Sequence, residues 1–242
     1  MSIGFRLTTK CKNISSFQES LDAVAARNNI SASHTEDYSE LSLCRLGNIF
    51  FNYEPEGDEI VIAGDCQTNL LGAGFHKYAI EIACELIRQS ELSFEVEDDY
   101  EHRDFERMRS EHFYPWLKAI MKLCCERMEQ GSDMSAICWD HNKYIPQGVK
   151  GTVVSPFGRI NPYHFMERIE NEGIETLANE FFMWNNEERD AQFYRNIALS
   201  ALWEDCYFMP SARSDADEEI NAFIIENLEK AVEMDDSLPF PK

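Results

Sequence analysis

The stretch Ile60–His76, IVIAGDCQTNLLGAGFH, carries the residue types that an anion-binding turn requires. An apolar strand runs into a polar turn, and the turn runs into a glycine-containing helix start. Free N–H groups at a helix N-terminus point outward, glycines let a ligand approach the backbone, and Thr or Asn side chains add donors. Thr68, Asn69, Gly72, Gly74 and His76 would line such a cradle. The spacing matches neither GxGxxG nor GxxxxGKS/T, because Lys77 follows His76 without the second Gly and the Ser or Thr that a phosphate loop needs. The plainer alternative is a tight strand-to-helix turn with Thr68 or Asn69 as its cap.

A second constellation is Trp139-Asp140-His141-Asn142. A Trp at a loop mouth stacks on a planar ligand or on a partner side chain. Asp140 does not orient His141, since neighbouring residues of a strand point to opposite faces. From His141 to Met166 the chain holds no acid, while Lys143, Lys150, Arg159 and His164 add positive charge. Trp139, His141 and Lys150 are therefore candidate ligand-binding residues, and this strip is the place for an anionic ligand or for an acidic patch. The alternative is that its cations pair with the protein's own carboxylates.

Other reactive groups are less distinctive. His112 sits four residues from Met108 and four from Trp116, which places it on a buried helical stripe as a hydrogen-bonded core residue. The run Glu97-Asp98-Asp99-Tyr100-Glu101 lacks the ligand spacing of a calcium loop. No GxSxG elbow, HExxH pair or kinase signature occurs, and an acid pair for glycoside hydrolysis cannot be chosen among 44 acids without geometry. The eight cysteines form no CxxC pair, and Cys124 and Cys125 are adjacent, so no zinc site is expected and no cofactor is implied. Scattered thiols among apolar residues point to a reduced, cytoplasmic setting. Activating one of them as a nucleophile depends on neighbours that the tertiary fold supplies, and nothing local singles one out.

The elements that must hold these groups read as α+β. Ile3–Thr8 alternates as a strand, and Ser16–Ala26 reads as an amphipathic helix with a cap-like Ser. Leu41–Tyr53 and Glu59–Ala63 read as strands joined by a hairpin turn at Glu56-Gly57-Asp58. Residues 68–89 form a helix with Phe75, Ala79, Ile82, Ala83 and Leu86 on one stripe, and Leu92–Val96 follows as a short strand. Arg103–Glu129 is helical with an interruption at Pro115, its stripe closing on Leu123 or Cys124. Ser135–Trp139 and Gly151–Ser155 complete the strands.

From Asn161-Pro162 onward the pattern is helical, across Ile174–Trp184, Asp190–Phe208 and Asp215–Met234. In the last helix Ile220, Phe223, Ile224, Leu228 and Ala231 face inward. The expected architecture is a mixed or antiparallel sheet with helices over residues 1–155, and an all-helical part over 156–242 packed on it as one unit.

Composition bounds the function. The chain of 242 residues carries 44 Asp and Glu against 22 Lys and Arg, a net charge of −22, with 44% hydrophobic and 12% aromatic residues. Disordered acidic chains lack that apolar content, so the charge decorates a folded core. It repels nucleic-acid backbones and anionic membrane surfaces, and no stretch reaches the roughly 20 apolar residues of a membrane span. Strong charge, many aromatics and no catalytic signature point first to a binding protein whose acidic surface docks a basic protein. In that character, though in no motif, the chain is similar to toxin-neutralising immunity proteins and inhibitors. The alternative is a small-molecule enzyme or ligand-binding domain using the Thr68–His76 turn with the basic strip. A nucleic-acid mimic ranks behind both.

Overall fold

Along Gly4–Cys11 every second side chain is buried, and this alternation builds β1, a strand with one face on a core and one on solvent. The computed structural model describes residues 3–98, 104–131, 136–138, 149–206 and 214–238. The chain divides into two compact units, Met1–His112 and Phe113–Lys242, so the composition shift at Asn161 lies inside the second. His141, Lys143 and both ends of the strand expected over Ser135–Trp139 (Ser135 and Trp139 themselves) lie outside the described residues; of its described part, Ala136 forms a single bridge to Val154.

In the first unit β1 is followed by α1 (Ile14–Asn28), β2 (Ser31–His34), β3 (Tyr38–Cys44), β4 (Gly47–Glu56), β5 (Glu59–Gln67), α2 (Ala73–Ser90), β6 (Glu95–Asp98) and the single turn α3 (Phe105–Met108). The six strands form one antiparallel sheet in the order β2-β3-β4-β5-β1-β6. The β4–β5 turn is Gly57-Asp58, closed by Glu56 opposite Glu59. The continuous strand expected over Leu41–Tyr53 is two strands: the chain turns at Arg45-Leu46, with Leu46 at φ 67° and Cys44 opposite Gly47. Neither residue is a turn former, which hid the reversal.

Helix α1 is capped by Asn13, whose side chain accepts from Ser15 N, and not by Ser16. Phe17, Leu21 and Val24 of α1 and Phe75, Ala79, Ile82 and Leu86 of α2 are buried with Leu7, Leu41, Ile49, Phe51 and Ile62 of the sheet. Phe17 meets Phe51 edge-on at a centroid distance of 5.3 Å. Gly64 is required beside that contact, since a Cβ there would stand 2.7 Å from the Phe51 ring.

A π turn, Arg109–Phe113, precedes α4 (Tyr114–Glu129). Pro115 falls in the first positions of α4, so the expected interruption is a fresh helix start, at the one place where a missing N–H costs nothing. Cys124, not Leu123, continues the buried stripe; Leu123 is exposed, and His112 is half-buried.

A hairpin of β7 (Val153–Ser155) and β8 (Gly158–Ile160) follows, so residues just after 155 pair as a strand before the helices begin. Helix α5 (Pro162–Glu172) starts under the Asn161 cap, then come α6 (Ile174–Phe181), α7 (Ala191–Ala201), a second π turn (Leu202–Cys206) and α8 (Asp215–Met234), capped by Ser214. Phe113, Trp116, Phe181 and Phe182 form the aromatic centre of this unit, with neighbouring rings 5.3–6.1 Å apart. Ile224 and Ala231 of α8 are buried as expected, whereas Phe223 faces solvent.

Candidate functional site

The residues of the Thr68–His76 turn hold the first unit together from inside. Thr68 is fully buried, and its hydroxyl donates to the Ile3 carbonyl at 3.2 Å. With its one hydrogen committed there, it accepts from His76 Nδ1, 2.9 Å away. Asn69 Oδ1 accepts from Ile3 N at 2.5 Å. The chain makes a turn over 68–72 before the helix, with Leu71 N and Gly72 N both donating to the Thr68 carbonyl. Gly72 occupies the N-cap position at φ 94°, without a side-chain cap, and Gly74 and His76 are buried in the first turns of α2. Thr68 and Asn69 therefore fasten β1 to β5 and α2, and do not cap the helix. Lys150 is exposed in the turn before β7.

The solvent face of the six-stranded sheet is the first place where function-bearing groups gather. Register puts Glu97, Arg6, Asp65, Phe50 and Glu40 side by side across β6, β1, β5, β4 and β3, and the next row holds Glu95, Thr8, Ala63, Asn52 and Tyr38. Glu54, Glu56 and Glu59 extend the same face along β4 and β5. Seven carboxylates thus share it with two cations. Arg6 bonds Asp65 through Nε at 2.8 Å and Lys10 bonds Glu56, and each pairing pushes the cation's pKa upward, chiefly through the hydrogen bond. Phe50 and Tyr38 stand 42% and 40% exposed among these charges. Gly4, Arg6, Asp65, Gln67 and Glu97 border a shallow depression of about 490 Å³ at one end of the face.

The second place is a cleft of about 590 Å³ within the second unit, bounded by β8 and the faces of α5, α6 and α7. Three arginines from three elements line it: Arg159 of β8, Arg168 of α5 and Arg195 of α7. Glu180 is the lining acid, and both of its oxygens accept from Arg168 at 2.7 Å. Glu172 grips the same guanidinium at 2.7 and 2.8 Å. These bonds drive the Arg168 pKa up and pull the Glu172 carboxyl down. Burial lowers the Arg195 pKa, with Glu180 acting the other way. Arg159 lies over the Trp203 ring at 5.4 Å.

Amides complete the wall. Asn179 Oδ1 accepts from Asn185 Nδ2 at 2.6 Å, and Gln192 Nε2 donates to the buried Asn196. Arg159 and His164 of the acid-free strip reach this cleft; Arg168, Arg195, Asn179 and Gln192 are brought to it by α5, α6 and α7, and no local pattern flagged them.

Among the described residues no group of three His, Cys, Asp or Glu stands where it could hold a metal, and no helix is long and apolar enough to cross a membrane. Burial pushes the Cys124 and Cys138 thiols up to about 11 and about 12, and raises Cys66 further still, which disfavours the nucleophilic thiolate at all three. Burial likewise lowers the pKa of His112. No protein-family model matches the sequence, and comparison with curated proteins and with solved structures found no match.

Proposed function

We propose that the protein is an acidic binding protein that docks a basic protein partner on the solvent face of the six-stranded sheet, in the manner of an immunity protein or inhibitor. The observation that carries this reading is the imbalance of that face: seven carboxylates, two cations already neutralised by Asp65 and Glu56, and the exposed rings of Phe50 and Tyr38 among them. Charge of one sign steers an oppositely charged partner, and aromatic anchors supply the contact area that surface ion pairs lack. The same carboxylates repel a phosphate backbone, so the reading names a protein and not a nucleic acid. The free thiols of the described residues fit a partner met in a reducing compartment such as the cytoplasm.

The test uses a synthetic strand of alternating Lys and Phe, titrated into the full chain and followed by amide chemical shifts and stopped-flow fluorescence. The association rate should fall steeply with salt, since screening shortens the Debye length to about 3 Å at 1 M. Reversing Glu54 and Glu97 together to Lys should weaken binding by about tenfold or more, about 1.4 kcal/mol per decade. The same reversal at Glu218 and Glu229 of α8 should change it by less than about twofold. Equal losses from the two pairs, or shifts scattered over both units, would overturn the reading.

A further inference from the structure

We propose that the flank of α8 carrying Ile225 and Val232 docks an amphipathic helix of a partner protein, one whose apolar stripe is bordered by Lys and Arg. This surface is separate from the sheet face and rests on different observations. Helices α7 and α8 pack as an antiparallel pair. Ile220, Ile224 and Leu228 lie with Ala198 and Ala201 near the end of α7, while Lys230 stands over Tyr194 near its start, 5.7 Å from the ring centroid. The buried residues of α8, Ile224, Asn227 and Ala231, form a narrow line along it. At about 100° per residue its apolar side chains reach further, from Phe223 through Ile224 and Leu228 to Ile225, about 200° of the circumference. A helix that only has to seal a core needs a stripe of about 100°. The surplus faces solvent: Ile225 is 56% exposed and Val232 43%. With half-buried Leu228 between them they stand at i, i+3 and i+7, the spacing at which one helix presents anchors to another.

Charge decides what covers the strip. Over Asp215–Met234 the helix carries seven acids and one Lys. The acids of the first turn serve the helix dipole, but Glu233 lies in the last turn, where the dipole disfavours an acid, and Glu229 lies one turn before it. These two border the Ile225–Val232 strip. A second copy of this chain would set like charges against them, and so would a phosphate backbone or an anionic lipid surface. A helix with Lys or Arg beside its apolar stripe places cations over Glu229 and Glu233 while its apolar side chains cover Ile225, Leu228 and Val232. The opposite flank, with Phe223 and Met234, is bordered by Lys230, which bonds Glu226 at 2.7 Å, so its charge is already balanced and the match is weaker there.

The test titrates the full chain with a synthetic peptide whose Leu residues recur at helical period among Lys, and with a peptide of the same composition in scrambled order. Binding is read by calorimetry and by amide shifts. The ordered peptide should shift α8 amides and bind at least about tenfold more tightly than the scrambled one, since the charge of the two is the same. Replacing Ile225 and Val232 together by Gln should weaken it by about tenfold or more, and the same change at Phe223 and Met234 by less than about twofold. All four side chains are exposed, so both variants should melt with the parent. Reversing Glu229 and Glu233 to Lys should weaken binding at low salt and leave it nearly unchanged at about 1 M, where screening removes the charge contribution. No binding, equal binding of the two peptides, equal losses from the two flanks, or shifts centred on the strands of the sheet would overturn the inference. So would a concentration-dependent dimer of the chain that the Ile225→Gln, Val232→Gln variant abolishes, because it would make a second copy the occupant. Failure of the sheet-face reading leaves this result untouched, since the strand and helix probes map to different units.

Discussion

Residues 1–112 hold 10 Lys and Arg against 21 Asp and Glu, and residues 113–242 hold 12 against 23, so each unit carries a net charge of −11. They present that charge in opposite ways. The first lays its acids out in rows on an open sheet, where strand register sets the spacing and the two cations of the face are each tied to one carboxylate. The second draws three arginines inward to a cleft and sends its acids to helix surfaces and first turns, as in Asp215, Asp217 and Glu218 of α8. Acids there stabilise the helix dipole by about 0.3–1 kcal/mol each and need no partner to explain them. Net charge is thus a poor guide to a site. Two units with the same total differ because a sheet face displays its side chains in register, while helices packed around a cleft select which ones converge.

The largest test of the comparison is whether each unit rests on its own core. Phe51→Ala and Phe182→Ala each delete a fully buried ring and should each cost about 3–5 kcal/mol. Amide hydrogen exchange should locate the first loss in residues 3–98 and the second in α4–α7. A uniform loss of protection in either variant would merge the two units into one cooperative structure.

A smaller effect is expected at the strut of the cleft. Arg168 holds the Glu172 carboxyl below its ordinary value of 4.5, so the stability it contributes is present at neutral pH and is lost as pH falls through the depressed value. Arg168→Ala should therefore unfold at lower temperature than the parent at pH 7. The gap should close below about pH 4.5, as the Glu172 carboxylate takes up its proton. A gap independent of pH would assign Arg168 to packing through its stem.

The mildest probe is chemical. Cys84 is exposed on α2, whereas Cys66, Cys124 and Cys138 are held protonated by burial. Brief iodoacetamide treatment of the folded chain should label Cys84 first and leave those three untouched, as read by peptide mass spectrometry. Equal labelling would show that the cores open on that timescale.

Much of the fold was legible in the sequence. The stripe Phe75, Ala79, Ile82, Leu86 marked α2, the Asn161-Pro162 pair marked the start of α5, and Ser214 marked that of α8, because helical period and capping chemistry are local. The turn at Arg45-Leu46 escaped because its residues carry no turn chemistry and strand-forming residues flank it on both sides. Thr68, Asn69 and His76 had the right types for a ligand turn, but Thr68 and Asn69 bond Ile3, more than 60 residues away, and His76 bonds Thr68. The acid-free strip supplied Arg159 and His164 to the cleft without revealing the arginines that α5 and α7 bring beside them.

By itself the sequence determined that the chain folds as α+β and that it buries an aromatic-rich core. These follow from composition and from periods of two and 3.6 residues, which each segment carries within itself. Only the tertiary structure decided which carboxylates share one sheet face and which arginines share one cleft. Strand register and helix packing join residues far apart in the chain, and no local pattern records those distances.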